Sequence, residues 1–387
     1  MSGERSDRTR IALHSAGLSS AIARPGEAGV TTVLAPRRRP RQFVELPLGS
    51  FSVVMALGIL AVGARDFDRP ALSTSLMWFG ALAFVGLGVA IAASAGRGPR
   101  KFSVQLGDVR HCFHAYTIVA ALAVMGITVP GASAGPVGFA IWTAAVAAWG
   151  GTGILVIVAL RRDVSAWRQR ASGSWLLLVV ATHSLAILGS AVASSSGSTT
   201  LGTASLLSWL VGVLLYPLVA AVVIARWHGR PSRVRDFTPD HWIVMGALAI
   251  TAVAALRIAA APTSEYAGTL LLVAATVAWG LATCLYAPLV ALSAGRWCRE
   301  PATRGYEISW WSMIFPLGMY AVATLEVGRA HALAALIVVA QCAFWVAVLG
   351  AAVVGTALLR SLCGRRAGLG DDQEGAVAAL PVGDLRG

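Results

Sequence analysis

The sequence predicts an all-α integral membrane protein, with ten transmembrane helices arranged as five helical hairpins around a central pore. Three observations predict it: composition, the spacing of apolar stretches, and the side on which basic residues fall. The 387 residues are 57% hydrophobic and 13% charged, with a mean hydropathy of +0.71. A soluble domain is about 45–50% apolar and about 25% charged, so this chain lacks the polar residues to cover itself in water. Disordered, collagenous and disulfide-scaffold classes are excluded by the dominance of apolar residues and by a total of five Cys.

A helix needs about 20 mostly apolar residues to cross a bilayer. Ten stretches qualify: 48–64, 71–95, 115–130, 137–160, 174–193, 201–225, 241–261, 268–294, 309–326 and 332–359. Backbone amides cannot stay unpaired in lipid, which makes these stretches helices. The net charge of +13 then has a simple distribution. The two tails and the loops after even spans hold 27 Lys and Arg, while the alternate loops hold 4. The positive-inside rule turns that bias into topology, with both termini cytoplasmic in a plasma (cell inner) membrane. Nucleic acid is not a partner on this reading, because the charge is spread over every cytoplasmic loop without interleaved aromatics. The lipid bilayer is.

Residues 1–46 are rich in Arg, Ser and Gly and carry the run Arg37-Arg38-Arg39-Pro40-Arg41. They have no apolar core before a small-residue cleavage site, so they read as a disordered basic tail rather than a secretory signal. Residues 47–360 form the membrane domain, and 361–387 read as a second disordered tail. Cys112, Cys284, Cys298, Cys342 and Cys363 fall in spans or on the cytoplasmic side, where disulfides are rare.

An internal repeat organises the spans. Trp209, Tyr216, Arg226 and Trp227 recur as Trp279, Tyr286, Arg296 and Trp297, each offset by 70. Trp175, Trp242 and Trp311 open the fifth, seventh and ninth spans, positions ordinary for interfacial anchors. The repeating unit is a helix going out and a helix coming back. Five parallel hairpins suggest a ring about the membrane normal, with the shorter odd spans inside. Each odd span carries a Gly near its middle: Gly58, Gly126, Gly189, Gly246 and Gly318. These glycines either line a pore or let helices pack closely.

Convergent polar groups for catalysis are absent from the pattern: there is no paired carboxylate, nucleophile elbow or Walker loop, and no cofactor is expected. His111-Cys112-Phe113-His114 offers too few ligands for zinc. An intramembrane enzyme or sensor would need ionisable residues clustered on facing helices, and here they are scattered. Arg257 and Glu326 each lie 15 residues past a span-opening Trp, near the outer ends of neighbouring inner helices. They read as an outer vestibule attracting anions or as an interfacial salt bridge. His183 lies deep in the fifth span, as a pore-lining donor or a packing residue.

The ninth span is the most informative, reading Trp310-Trp311-Ser312-Met313-Ile314-Phe315-Pro316-Leu317-Gly318-Met319-Tyr320. Pro316 lacks a backbone donor, so it kinks the helix or frees a carbonyl. This string, with Pro47-Leu48-Gly49-Ser50-Phe51 and Met55-Ala56-Leu57-Gly58-Ile59-Leu60, resembles the tellurite-resistance/dicarboxylate transporter family. Fungal malate and sulfite transporters and plant slow anion channels are its members. The resemblance covers about residues 45–360 and implies transport of small anions: a C4-dicarboxylate such as malate, or sulfite-, nitrate- or chloride-like ions. It implies a homotrimer in which each protomer has its own pore. It also implies a pore gate at Phe315 and Pro316, with Met313 and Ile314 as neighbouring alternatives. A passive anion channel without carboxylate preference is the alternative mode.

Overall fold

The computed structural model describes residues 48–98, 106–109, 111–162, 170–228, 237–261, 265–299 and 306–378. The two expected tails lie partly or wholly beyond these: 1–46 is outside the described residues, as is 379–387. Ten α-helices follow in chain order: α1 Ser52–Asp66, α2 Pro70–Arg97, α3 Tyr116–Thr128, α4 Gly135–Arg162 and α5 Leu177–Ser196, then α6 Thr199–His228, α7 Ile243–Ala259, α8 Glu265–Arg299, α9 Trp311–Ala330 and α10 Ala334–Ala378. Among the described residues, nine helical segments are long and apolar enough to cross a membrane. A shorter apolar segment, Cys112–Thr128, is 17 residues long, at the short end of what spans. The chain is a multi-pass helical membrane protein. α10 runs to Ala378, past the boundary expected at 360.

Every odd helix opens with a 3-10 turn: Leu48–Phe51, Cys112–Ala115, Gly173–Leu176, Pro239–Trp242 and Ile308–Trp310. Each odd helix then packs on the even helix after it, giving five hairpins. Among the described residues, left-handed residues sit in four of the hairpin turns, at Asp68, Gly131 with Gly135, Gly197 and Ala332 (φ 56°, 75° with 56°, 67° and 54°). Gly197 adopts this conformation without a Cβ penalty, whereas Ala332 holds it against one.

The odd helices form a closed ring. α1 packs on α3, α3 on α5, α5 on α7, α7 on α9, and α9 back on α1. The five 3-10 turns close a second ring in the same order. Burial separates the layers: 83%, 89%, 83% and 72% of the span windows of α1, α5, α7 and α9 are buried, against 11–28% for the even helices. Trp78, Phe79, Leu82 and Val85 of α2 are exposed apolar side chains, as suits a surface whose solvent is hydrocarbon.

The sequence repeat becomes repeated contacts. The Trp209 indole donates to the Thr251 carbonyl of α7 (3.0 Å), and Trp279 donates to Thr324 Oγ1 of α9 (2.9 Å). Each even helix is thereby tied to the odd helix of the next hairpin. Arg226 and Arg296 donate to backbone carbonyls just before the 3-10 turns of their own hairpins, those of Ala171 and Phe237. The span-opening tryptophans depart from expectation. Trp175, Trp242 and Trp311 are only 3–4% exposed and are not interfacial anchors. Trp175 stacks on Phe113 of the neighbouring 3-10 turn (4.6 Å), and Trp242 donates to Ser293 of α8 (2.9 Å), so one joins two turns of the ring and the other ties its turn to the outer layer.

Candidate functional site

A ring of five helices encloses an axis, and two cavities lie along it. The larger, about 250 Å³, takes its walls from all five odd helices. Ile59 and Val62 come from α1, Val124 and Ile127 from α3, Ile250, Val253 and Arg257 from α7, and Met319 and Val322 from α9. α5 contributes Ser184, Ser190 and Ser194, whose hydroxyls donate back to backbone carbonyls at 2.8–2.9 Å. The smaller cavity, about 60 Å³, lies among the 3-10 turns and is lined by His111, His114, Asp240, Ser309 and Ser312 with neighbours. A groove of about 390 Å³ between α4 and α6 has walls from Phe139, Trp142 and Leu201 and belongs to the outer layer.

Along α9, Phe315 lies between residues that line the two cavities. Residues 312, 315, 319, 322 and 326 recur at helical spacing, so they share one face of α9. Ser312 lines the small cavity, while Met319 and Val322 line the large one. Phe315, on the same stripe, is 2% exposed and lines neither. The neighbouring alternatives face elsewhere. Ile314 Cδ1 reaches Gly350 on α10, and Met313 lines a small pocket beside Trp242 and Trp297.

The end of the large cavity carries charge. Arg257 Nε donates to Glu326 Oε1 (2.7 Å), and Nη2 donates to Asp66 Oδ2 (3.2 Å). Three odd helices, α1, α7 and α9, meet in this triad. Arg329 adds a bond from Nη2 to the Asp66 carbonyl (2.7 Å).

A profile of the voltage-dependent anion channel family matches residues 45–359, which span the whole ring. The chain belongs to that family. Membership assigns it anion transport or channel function in a membrane. Two relatives, each named an uncharacterized membrane protein and found in two strains of Mycobacterium tuberculosis, are 35% identical over 153 residues. That match covers 39% of this chain and 78% of each relative.

Within this anion channel family member, the five central glycines occupy contacts between helices, and none is among the residues lining either cavity. A Cβ on Gly58 would lie 1.9 Å from Val124 Cγ1, and one on Gly126 would lie 2.8 Å from Leu188. Gly189 faces Ser205 and Trp142, Gly246 faces Pro316, and Gly318 faces Ile59 and Leu60. The close-packing alternative thus has the geometry on its side. His183 also turns away from the axis. It precedes Ser184, which faces the cavity, and successive helical residues are about 100° apart. Its ring lies against Gly212 of α6, with Nδ1 3.0 Å from the Val179 carbonyl, and it is fully buried.

Sequence reasoning did not single out Asp66, the α5 serines, Asp240 or Ser309. Asp66 was hidden in the turn after the first span. The serines follow a legible i, i+6, i+10 spacing, but serine is common in membrane helices and the spacing alone does not say which face meets the axis.

Proposed function

We propose that the protein moves small anions along the axis of the odd-helix ring, with Phe315 as the gate and Pro316 setting the backbone there. The observation that carries this reading is the position of Phe315 on the α9 stripe between two cavities. An aromatic ring in a narrow apolar passage blocks it by bulk and by dewetting. Arg257, at the far end of the large cavity, supplies the positive field that draws anions in. Both termini lie in the cytoplasm on this reading, so the triad end faces outward and the 3-10 ring faces the cell. The membrane is the plasma (cell inner) membrane, and the assembly is a homotrimer whose contacts use even helices.

Substrates in this proposal are C4-dicarboxylates such as malate, or sulfite-, nitrate- and chloride-like ions. A second reading, a passive channel without carboxylate preference, has a specific observation behind it. Arg257 is the single ionisable residue among those lining the large cavity, and a dicarboxylate carries two charges. The test is uptake of nitrate and of malate into proteoliposomes. Phe315→Ala is expected to raise uptake at least severalfold, whereas Ile314→Ala, which only loosens the contact with α10, leaves it unchanged. Equal rates for wild type and Phe315→Ala in folded protein would remove Phe315 from the gate.

A further inference from the structure

Arg257 is exposed over 38% of its side chain, and it is backed by two carboxylates that are 11% and 13% exposed, Glu326 and Asp66. Neither carboxylate is among the residues lining the cavity, while Arg257 is. The guanidinium has five N–H donors. Nε and Nη2 go to Glu326 and Asp66, and among the described residues Nη1 has no hydrogen-bond partner. The remaining walls are aliphatic side chains and three serines whose hydroxyl protons already serve the backbone.

A guanidinium facing such a poorly polar enclosure without counter-anions would attract an anion far more strongly than it would in water. That is a liability in a conduction path, because an ion that binds too well does not leave. We infer that Asp66 and Glu326 are a built-in counter-anion pair that shortens the stay of the permeating anion at Arg257. Arg65 Nε lies 3.8 Å from Asp66 Oδ1 and Arg329 donates to the Asp66 carbonyl, so the cluster holds three cations against two carboxylates. Within it the carboxylates withdraw part of the Arg257 field while leaving one N–H edge for the passing ion. The two carboxylates would thus set affinity and throughput, a role separate from gating at Phe315. The inference rests on the reading of the axis as the anion path.

Initial nitrate uptake by the full-length protein in proteoliposomes is measured against nitrate concentration. Glu326→Gln preserves an oxygen acceptor for Arg257 but removes its charge. It should lower the half-saturating nitrate concentration on the order of tenfold, the scale of one nearby charge in a partly shielded site, and should reduce maximal uptake. Asp66→Asn, read independently, should shift both quantities in the same directions. Arg257→Gln should raise the half-saturating concentration, and in that background Glu326→Gln should have no further effect on it. A purely structural ion pair would instead lower the melting temperature while leaving half-saturation where it was, and that result overturns the inference. A Glu326→Gln shift that persists without Arg257 also overturns it. Absence of nitrate uptake by both wild type and Phe315→Ala overturns the underlying reading instead, and this inference falls with it.

Discussion

Gly246 of α7 lies against the Pro316 ring of α9, so closely that a Cβ at position 246 would stand 2.8 Å from Pro316 Cγ and 3.2 Å from its Cα. Pro316 is the residue after Phe315, and it cannot donate its own helical hydrogen bond. The position of the aromatic ring between the two cavities therefore depends on how near α7 allows α9 to come.

Gly246→Ala should push the two helices apart at this level. Overpacking of one methyl in a filled interior costs about 1–3 kcal/mol. A fall in the melting temperature of detergent-purified protein is the expected result, together with altered nitrate uptake because Phe315 rides on the displaced segment. Gly318→Ala is the companion on α9, since its Cβ would meet Ile59 at 3.0 Å and Leu60 at 3.3 Å, side chains that can yield. Its effect should be smaller. A larger loss at 318 than at 246 would contradict this account of the contact.

Gly58→Ala is the harsher case, with the added atom 1.9 Å from Val124 Cγ1. Folded yield should drop sharply. The clash is with a single branched side chain, so Val124→Ala should restore much of the yield in the double variant. Contacting residues couple in this way, and distant ones do not. No rescue in the double variant would show that Gly58 is needed for its backbone and not for the room it leaves.

Trp279→Phe removes the indole donor to Thr324 Oγ1 and should destabilise the protein by about 0.6 kcal/mol, at most about 1.7, the range measured for hydrogen bonds between membrane helices. Trp209→Phe removes the equivalent bond to the Thr251 carbonyl and should cost about as much. The two bonds join different helix pairs, so their effects on chemical unfolding in mixed micelles should add. Strong non-additivity would indicate that neighbouring hairpins unfold as one block through these contacts.

The spans, the hairpin repeat and the all-helical class were legible because each follows from one-dimensional quantities: apolar length, charge by side and a period of 70 residues. Even the pairing of Arg257 with Glu326 was within reach, since both lie 15 residues past a tryptophan that opens its helix. Rotation of a helix about its own axis was not legible. The odd spans are buried on nearly every side, so hydrophobicity varies little around them and no amphipathic stripe marks the face that meets the axis. Gly58 and Ile59 are neighbours in sequence, yet Gly58 faces α3 and Ile59 lines the cavity. His183 and Ser184 part in the same way, one toward α6 and the other toward the axis.

The sequence by itself therefore determined that the chain is helical and crosses the membrane nine or ten times, and which helices form the inner layer, because lipid tolerates only satisfied backbone and apolar surface. Only the tertiary structure decided which residues border the path. The closed ring brings Asp66 of α1 to Arg257 of α7 across 191 residues and sets Phe315 on the α9 stripe between residues that line the two cavities.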